Sequence, residues 1–265
     1  IEGETGTGKE LLARHIHRLS ERNGLFVTLN CSGLSPQHAR AELFGYTAGA
    51  YPGSLGSRAG WFGSANGGTL YLDEIGDLPL PLQADLLAAL QSGEITRVGA
   101  HQPTRVQLRL LAATSIDLTQ AVAAGKFNES LYHYLSKARL PLPPLRERVG
   151  DILPMAEYFL GLYAQRLKLP LPLISESAQQ HLEAYYWPGN TRELENVIHF
   201  ALLVSQGEYI LPAHLKLSAP ISHLPSLLYH LEQCQQSASQ AHLLALQDWL
   251  QQRLQPPHTA SCPAG

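Results

Sequence analysis

Gly3-Glu4-Thr5-Gly6-Thr7-Gly8-Lys9 opens the chain and decides how the rest is read. It is a G-x-x-x-x-G-K loop, in which successive backbone N–H groups can turn inward around a polyphosphate. Lys9 adds a point charge toward the β- and γ-phosphates, and the helix that follows aims its N-terminus at the same anion. Chance supplies about 0.09 such patterns in a chain of this length, so the loop needs support from its surroundings. A glycine-rich turn before a helix is the plainer alternative.

Support comes from both sides. Glu10 to Arg22 carries Leu12, Ile16 and Leu19 at helical spacing, as a helix leaving the loop should. A phosphate loop sits at the end of a buried strand, and only Ile1 and Glu2 precede it here. The reading is therefore a fragment whose first strand is truncated. Residue 10, where a Ser or Thr hydroxyl usually ligates Mg²⁺, is Glu10. Further on, Leu70-Tyr71-Leu72-Asp73-Glu74 is an apolar strand ending in two acids, after the Gly67-Gly68 turn. Asp73 would hold Mg²⁺, directly or through water, and Glu74 would polarise the attacking water. An ordinary acidic strand end is the alternative, weakened by the upstream loop.

The rest of the first half alternates. Phe26 to Leu29 reads as a strand ending at Asn30, Gln37 to Phe44 as a helix, and Gly45 to Gly68 as an inserted loop too loose for a core element. Leu80 to Gln91 is a helix with Leu82, Leu86, Leu87 and Leu90 on one face. Ile95–Val98 and Val106–Ala113 read as strands, the second buried and ending in Thr114-Ser115. This alternation implies an α/β domain with a parallel sheet and ligands at its C-terminal edge. After Pro141 the pattern becomes helical: Asp151 to Lys168, then Ser175 to Tyr186 with Ser175 as N-cap. A third helix opens at Asn190, with Glu193 completing a capping-box-like start. Residues 218–265 are a low-complexity tail with one amphipathic helix, Gln240 to Leu254. The resulting domains are 1–148 (α/β, nucleotide-binding), 149–217 (helical lid) and 218–265 (tail).

Composition agrees with a compact protein. Of 265 residues, 45% are hydrophobic and 15% charged, which excludes a disordered chain. Nineteen Lys+Arg against 22 Asp+Glu give a net charge of −3, which excludes a strongly basic nucleic-acid coat. Neither a transmembrane run nor a signal peptide is visible. Cys31, Cys234 and Cys262 have no metal or disulfide spacing, as expected in a reducing cytoplasm.

These residues resemble the central AAA+ domain of bacterial enhancer-binding proteins, the ATP-driven activators of sigma-54 RNA polymerase. The similarity runs from Ile1 to about Leu217. It rests on the loop above with Glu10, which this family also carries, and on Glu42-Leu43-Phe44-Gly45 and Gly67-Gly68-Thr69-Leu70-Tyr71-Leu72-Asp73-Glu74-Ile75-Gly76. Leu142-Pro143-Pro144-Leu145-Arg146-Glu147-Arg148 and Trp187-Pro188-Gly189-Asn190-Thr191-Arg192-Glu193-Leu194 complete it. The resemblance implies an AAA+ P-loop NTPase fold followed by a small all-helical lid, with ATP and Mg²⁺ as cofactors and assembly into a ring. It makes Asn30 the partner that orients the catalytic Glu74, beside Asp73. Gly3, Glu4, Thr5, Gly6, Thr7, Gly8, Lys9, Glu10, Thr114 (the first sensor position, with Ser115) and Arg192 (the second sensor) become nucleotide-binding. A turn-forming Asn30 and a solvated Arg192 are the alternatives.

Four features depart from the family pattern. The loop that touches sigma-54 aligns with Gly49-Ala50-Tyr51-Pro52-Gly53-Ser54, where Pro52 fixes φ and removes an N–H at the tip. Asn128 and Tyr134 stand where the family has arginines that reach a neighbouring subunit's ATP, with Lys137 and Arg139 as shifted substitutes. Ser115 replaces an asparagine. Finally, residues 218–265 show no counterpart of the family's helix-turn-helix, so DNA contact is expected only through a domain absent from this chain. Two functions stay open: a ring ATPase remodelling sigma-54 holoenzyme, and a nucleotide-binding switch with weak or lost hydrolysis and sigma-54 contact. The altered loop, Asn128, Tyr134 and Ser115 all fall on turnover and coupling while the binding residues are intact, which favours the switch.

Overall fold

In the computed structural model, residues 1–217 are described, except 36, 52, 53, 55, 206 and 207. Ile1 to Lys216 forms one unit; residues 218–265, including the expected helix at 240–254, lie outside the described residues.

The first helix, α1 (Lys9–Leu19), leaves the phosphate loop directly and buries Lys9 and Ala13. Leu19, in its last turn, is exposed. β1 (Phe26–Asn30), α2 (Ala39–Phe44) and α3 (Gly60–Ser64) follow, then β2 (Thr69–Asp73) and α4 (Leu80–Ser92). A short hairpin, β3 (Glu94–Ile95) and β4 (Thr104–Arg105), precedes β5 (Arg109–Ala112). Two short helices, α5 (Leu118–Ala123) and α6 (Glu129–Leu135), close the α/β part.

β1, β2 and β5 form a parallel sheet in that order, with Asn30 opposite Asp73 in register. Glu2 extends it by parallel bridges to Thr114 on one side and Pro141 on the other, so the segment before the phosphate loop lies inside the sheet. The alternating strand β2 explains its position. Leu70 and Leu72 are fully buried on one face, and the other carries Thr69, Tyr71 and Asp73. Burying each leucine contributes about 1.5–3 kcal/mol.

Two regions differ from the sequence reading. The expected loop at 45–68 contains α3, which inserts Phe62 into the core against Phe44, with ring centroids 5.2 Å apart. A Cβ on Gly60 would meet the Gly45 nitrogen at 2.2 Å, so glycine at that position permits the two backbones to touch. The strand expected at 106–113 shortens to Arg109–Ala112 and is half-buried. Its upstream part leaves the ladder because the Gln107 N–H goes to the Asn66 side chain and its carbonyl to Gly67 N–H. Likewise the Ile95–Val98 strand reduces to Glu94–Ile95, since Gly99 (φ 80°) turns the chain and Ala100 N–H bonds to Arg97.

The helical part contains α7 (Ile152–Leu167), β6 (Leu173–Ile174), α8 (Glu176–Ala184), α9 (Asn190–Val204) and β7 (Tyr209–Ile210), with α7 packed along α9. Ser175 caps α8 by accepting from Ala178 N–H. At α9 the expected cap is displaced by one residue. Glu193 accepts from Gly189 N–H at 2.8 Å, because the Asn190 side chain is turned across to the phosphate loop.

Candidate functional site

Asn30, Asp73 and Ser115 lie at the C-terminal ends of β1, β2 and β5, and the phosphate loop begins one sheet position further on. This is the edge at which parallel sheets bind ligands. A cavity of about 620 Å³ opens there. It is lined by Thr5, Gly6, Gly8, Lys9 and Glu10 from the loop, by Asn30, Asp73 and Glu74 from the sheet, and by Arg192 from α9. Residues from the two ends of the described chain thus face one space.

The two halves meet at the loop apex. Gly6 has φ 82°, and a Cβ there would lie 2.2 Å from the Gly189 carbonyl, so the start of α9 rests directly on the loop. Asn190, fully buried, donates from Nδ2 to the Glu4 carboxylate and the Thr5 carbonyl, both at 3.1 Å, and accepts Leu145 N–H at 2.8 Å. Glu4 itself receives two bonds from the Arg146 guanidinium, at 2.5 and 2.8 Å. That pairing holds the Glu4 carboxyl below its ordinary range, against a smaller opposing effect of burial. Gly3, Glu4 and Thr7 do not line the cavity with side chains, and Thr7 Oγ1 donates to the Glu4 carbonyl.

Lys9 is 7% exposed, and its Nζ donates to the Gly3 and Glu4 carbonyls at 2.8 and 3.2 Å. It stands 3.7 Å from Glu74 Oε1. The other oxygen of Glu74 accepts from Ser115, by N–H at 2.9 Å and Oγ at 2.8 Å. Glu74 also adopts φ 49°, ψ 55°, a left-handed conformation costing on the order of 1–3 kcal/mol for a non-glycine residue. The flanking bonds hold it there: Ile75 N–H to Ala113 and Asp77 N–H to the Glu74 carbonyl.

Two expectations need correction. Asn30 does not orient Glu74 in this structure; its Oδ1 accepts from Ser32 N–H and Oγ, capping the short helical turn 31–33. Thr114 does not line the cavity. It is 3% exposed with its hydroxyl bonded at Ile116, and neighbouring Ser115 faces the space instead. β5 ends at Ala112, Thr114 is held in a bridge to Glu2, and the chain bends at Ser115 toward Glu74.

The donor set bears on a metal. Among the described residues, no group of three or more His, Cys, Asp or Glu side chains could hold an ion by itself. Asp73 and Glu74 beside a phosphate loop suit Mg²⁺, which binds through one or two carboxylates plus substrate phosphates. Glu10, at the cavity wall, has its Oε1 held by Arg14 at 2.6 and 3.0 Å.

Residues 1–141 match the family described as Sigma-54 interaction domain, and residues 146–226 match the AAA+ ATPase lid domain. The chain belongs to the sigma-54 interaction domain family. The Sigma54-dependent transcriptional activator SfnR of Pseudomonas putida is 52% identical over 219 residues, covering 82% of this chain and 60% of SfnR. The chain therefore spans less than two thirds of that relative. The crystal structure of NtrX from Brucella abortus in complex with ADP superposes with a TM-score of 0.75 at 32% identity, over 86% of this chain and 53% of NtrX. The S. cerevisiae Hsp104-ADP complex shares the fold alone, with a TM-score of 0.53 at 18% identity over 77% of this chain and 40% of Hsp104.

In this sigma-54 interaction domain the expected partner loop is folded on itself. Ser54 Oγ bonds to both the N–H and the carbonyl of Tyr51, and Gly49 N–H bonds to the Ser54 carbonyl. The Tyr51 ring rests on Tyr46 and His38, with centroids 5.2 and 6.0 Å away, while Ala50 N–H bonds to Thr47. Pro52 and Gly53 lie outside the described residues. The two departures on α6 have local uses. Asn128 caps the helix by accepting Leu131 N–H, and the Lys137 ammonium lies 5.2 Å from the centre of the Tyr134 ring. Arg139 forms a double hydrogen bond with Glu2.

The sequence reading missed Tyr71, Ser115 as a holder of Glu74, Asn190, and the cavity residues Phe159 and Glu195. Only Tyr71 was within reach. A tyrosine on the same strand face as Asp73, two residues earlier, has its hydroxyl beside that acid.

Proposed function

We propose that this chain is the nucleotide module of a cytoplasmic sigma-54-type transcriptional regulator, binding ATP with Mg²⁺ and assembling into a ring, with weak or lost hydrolysis and sigma-54 remodelling. The cavity that unites the phosphate loop, the acidic pair and Arg192 carries the nucleotide reading. Loop N–H groups and Lys9 would take the β- and γ-phosphates, and Arg192 would approach from the lid. Phe159 and Ile116 offer apolar surface on the same cavity wall. Asp73 would hold Mg²⁺, which neutralises phosphate charge when bound. NtrX, the solved relative, was obtained with ADP, which supports the same use of this site.

The reading of weak turnover rests on three placements. Glu74 is engaged by Ser115 and faces Lys9 rather than being held by Asn30. Asn128 and Tyr134 carry no cation, and arginine fingers are worth about 10³–10⁵ in rate. Arg139 is committed to Glu2 within the same subunit. A fully active ring ATPase is the second reading, favoured by Lys137, whose ammonium sits near the finger positions and is 5.2 Å from the Tyr134 ring.

Steady-state ATPase activity against protein concentration, on the complete parent protein, separates the two. A flat, low baseline with intact nucleotide binding supports the switch, and activity rising with assembly supports the enzyme. Asn128→Arg with Tyr134→Arg should raise turnover at least about tenfold in assembled rings if only fingers are missing, a barrier change of ~1.4 kcal/mol.

A further inference from the structure

β2 carries a polar group at each residue of one face. The Thr69 hydroxyl meets His17 of α1 at 2.8 Å, Tyr71 follows, and Asp73 ends the strand at the cavity. Tyr71 is 1% exposed, and its ring is stacked on Phe26 with centroids 6.0 Å apart. A phenylalanine would supply that packing equally well. What the hydroxyl adds is a hydrogen bond to Asp73 Oδ1 at 3.0 Å, its only partner among the described residues. Hydrogen bonds to carboxylate oxygens are among the stronger classes.

The surroundings give that bond a task. In other phosphate loops a hydroxyl at the residue after the lysine contacts the cation. Here that residue is Glu10, turned onto Arg14, and the nearby Thr7 hydroxyl is spent on the Glu4 carbonyl. The loop thus brings no hydroxyl from either residue. Glu74 is drawn toward Ser115 and Lys9. Asp73 is left as the principal protein group for the ion, and the Tyr71 bond fixes one of its two carboxylate oxygens. We propose that Tyr71 is a positioning residue for Mg²⁺: by fixing Oδ1 of Asp73 it presents Oδ2 to the nucleotide-bound ion. The proposal rests on the nucleotide reading above and deepens it.

The test is a titration of Mg²⁺ into the full chain with a fluorescent ATP analogue, alongside the same analogue in EDTA. Tyr71→Phe should raise the half-saturating Mg²⁺ concentration about tenfold, while affinity in EDTA stays within about twofold of wild type. In an Asp73→Asn background, adding Tyr71→Phe should change nothing further. A Tyr71→Phe titration matching wild type within about twofold would overturn the proposal. So would an equal loss of affinity in EDTA, which would mark the hydroxyl as structural, or the same shift persisting in the Asp73→Asn background. Wild type that binds no nucleotide under either condition overturns the nucleotide reading, and this proposal with it.

Discussion

Asn190→Ala should cost this protein more stability than any single surface change, and the structure gives the reason bond by bond. The side chain is fully buried and makes three hydrogen bonds, to Leu145 N–H, the Thr5 carbonyl and the Glu4 carboxylate. Truncation leaves Leu145 N–H, on a residue with no exposure, without its partner. An orphaned buried donor costs about 1–3 kcal/mol. The Glu4 carboxylate keeps Arg146, so its loss is smaller. Asn190 also sits at φ 51°, where alanine costs about 1–2 kcal/mol and asparagine is tolerated. The sum is roughly 2–5 kcal/mol, or a melting shift of about 4–20 °C in a domain of this size. Asn190→Gly removes the φ penalty but not the lost bonds, so it should recover about 1 kcal/mol relative to alanine. Urea denaturation of the three proteins decides it. An alanine variant within about 1 kcal/mol of wild type, or a glycine variant no better than alanine, would refute the assignment of Asn190 as the pin between lid and loop.

Three further outcomes are expected. The Glu4 carboxyl is lowered from 4.5 by Arg146, so its contribution is complete above that pH and disappears as pH falls through the lower folded value. Glu4→Gln should therefore flatten the acid side of a melting-temperature profile; an unchanged slope below pH 4.5 contradicts this. Cys31 is 1% exposed and burial pushes its thiol up to about 12, so peptide mapping after iodoacetamide treatment of folded protein should find it unmodified. Labelling of Cys31 at the rate of a free thiol would show that the core around it opens. Asn128→Ala, which removes the α6 cap, should lower stability by about 1 kcal/mol, and a thermal melt indistinguishable from wild type would show the cap to be idle.

Local chemistry made the loop Gly3–Lys9, the acidic end of β2 and the start of the lid helix at Asn190 readable before any coordinates. Each is defined by residues adjacent in sequence. The errors came where side chains choose partners from other segments. The resemblance assigns Asn30 to Glu74, yet its Oδ1 accepts from Ser32, two residues away. Thr114 is expected at the site where Ser115 faces the cavity, because the chain bends just past the end of β5 to meet Glu74. Asn190 was read as a helix cap, because nothing local announces that its amide reaches residues 4, 5 and 145. Phe62 was hidden in a glycine- and serine-rich stretch whose average polarity masks one core aromatic.

Isothermal titration calorimetry of ATP with Mg²⁺ into the folded chain, and into its Lys9→Ala variant, reaches the nucleotide claim with the fewest intermediate assumptions. One saturable site in wild type, weakened at least about tenfold when the buried ammonium is removed, is the predicted result. Equal affinity in the two proteins, or no heat from a wild-type sample shown to be folded, would contradict it.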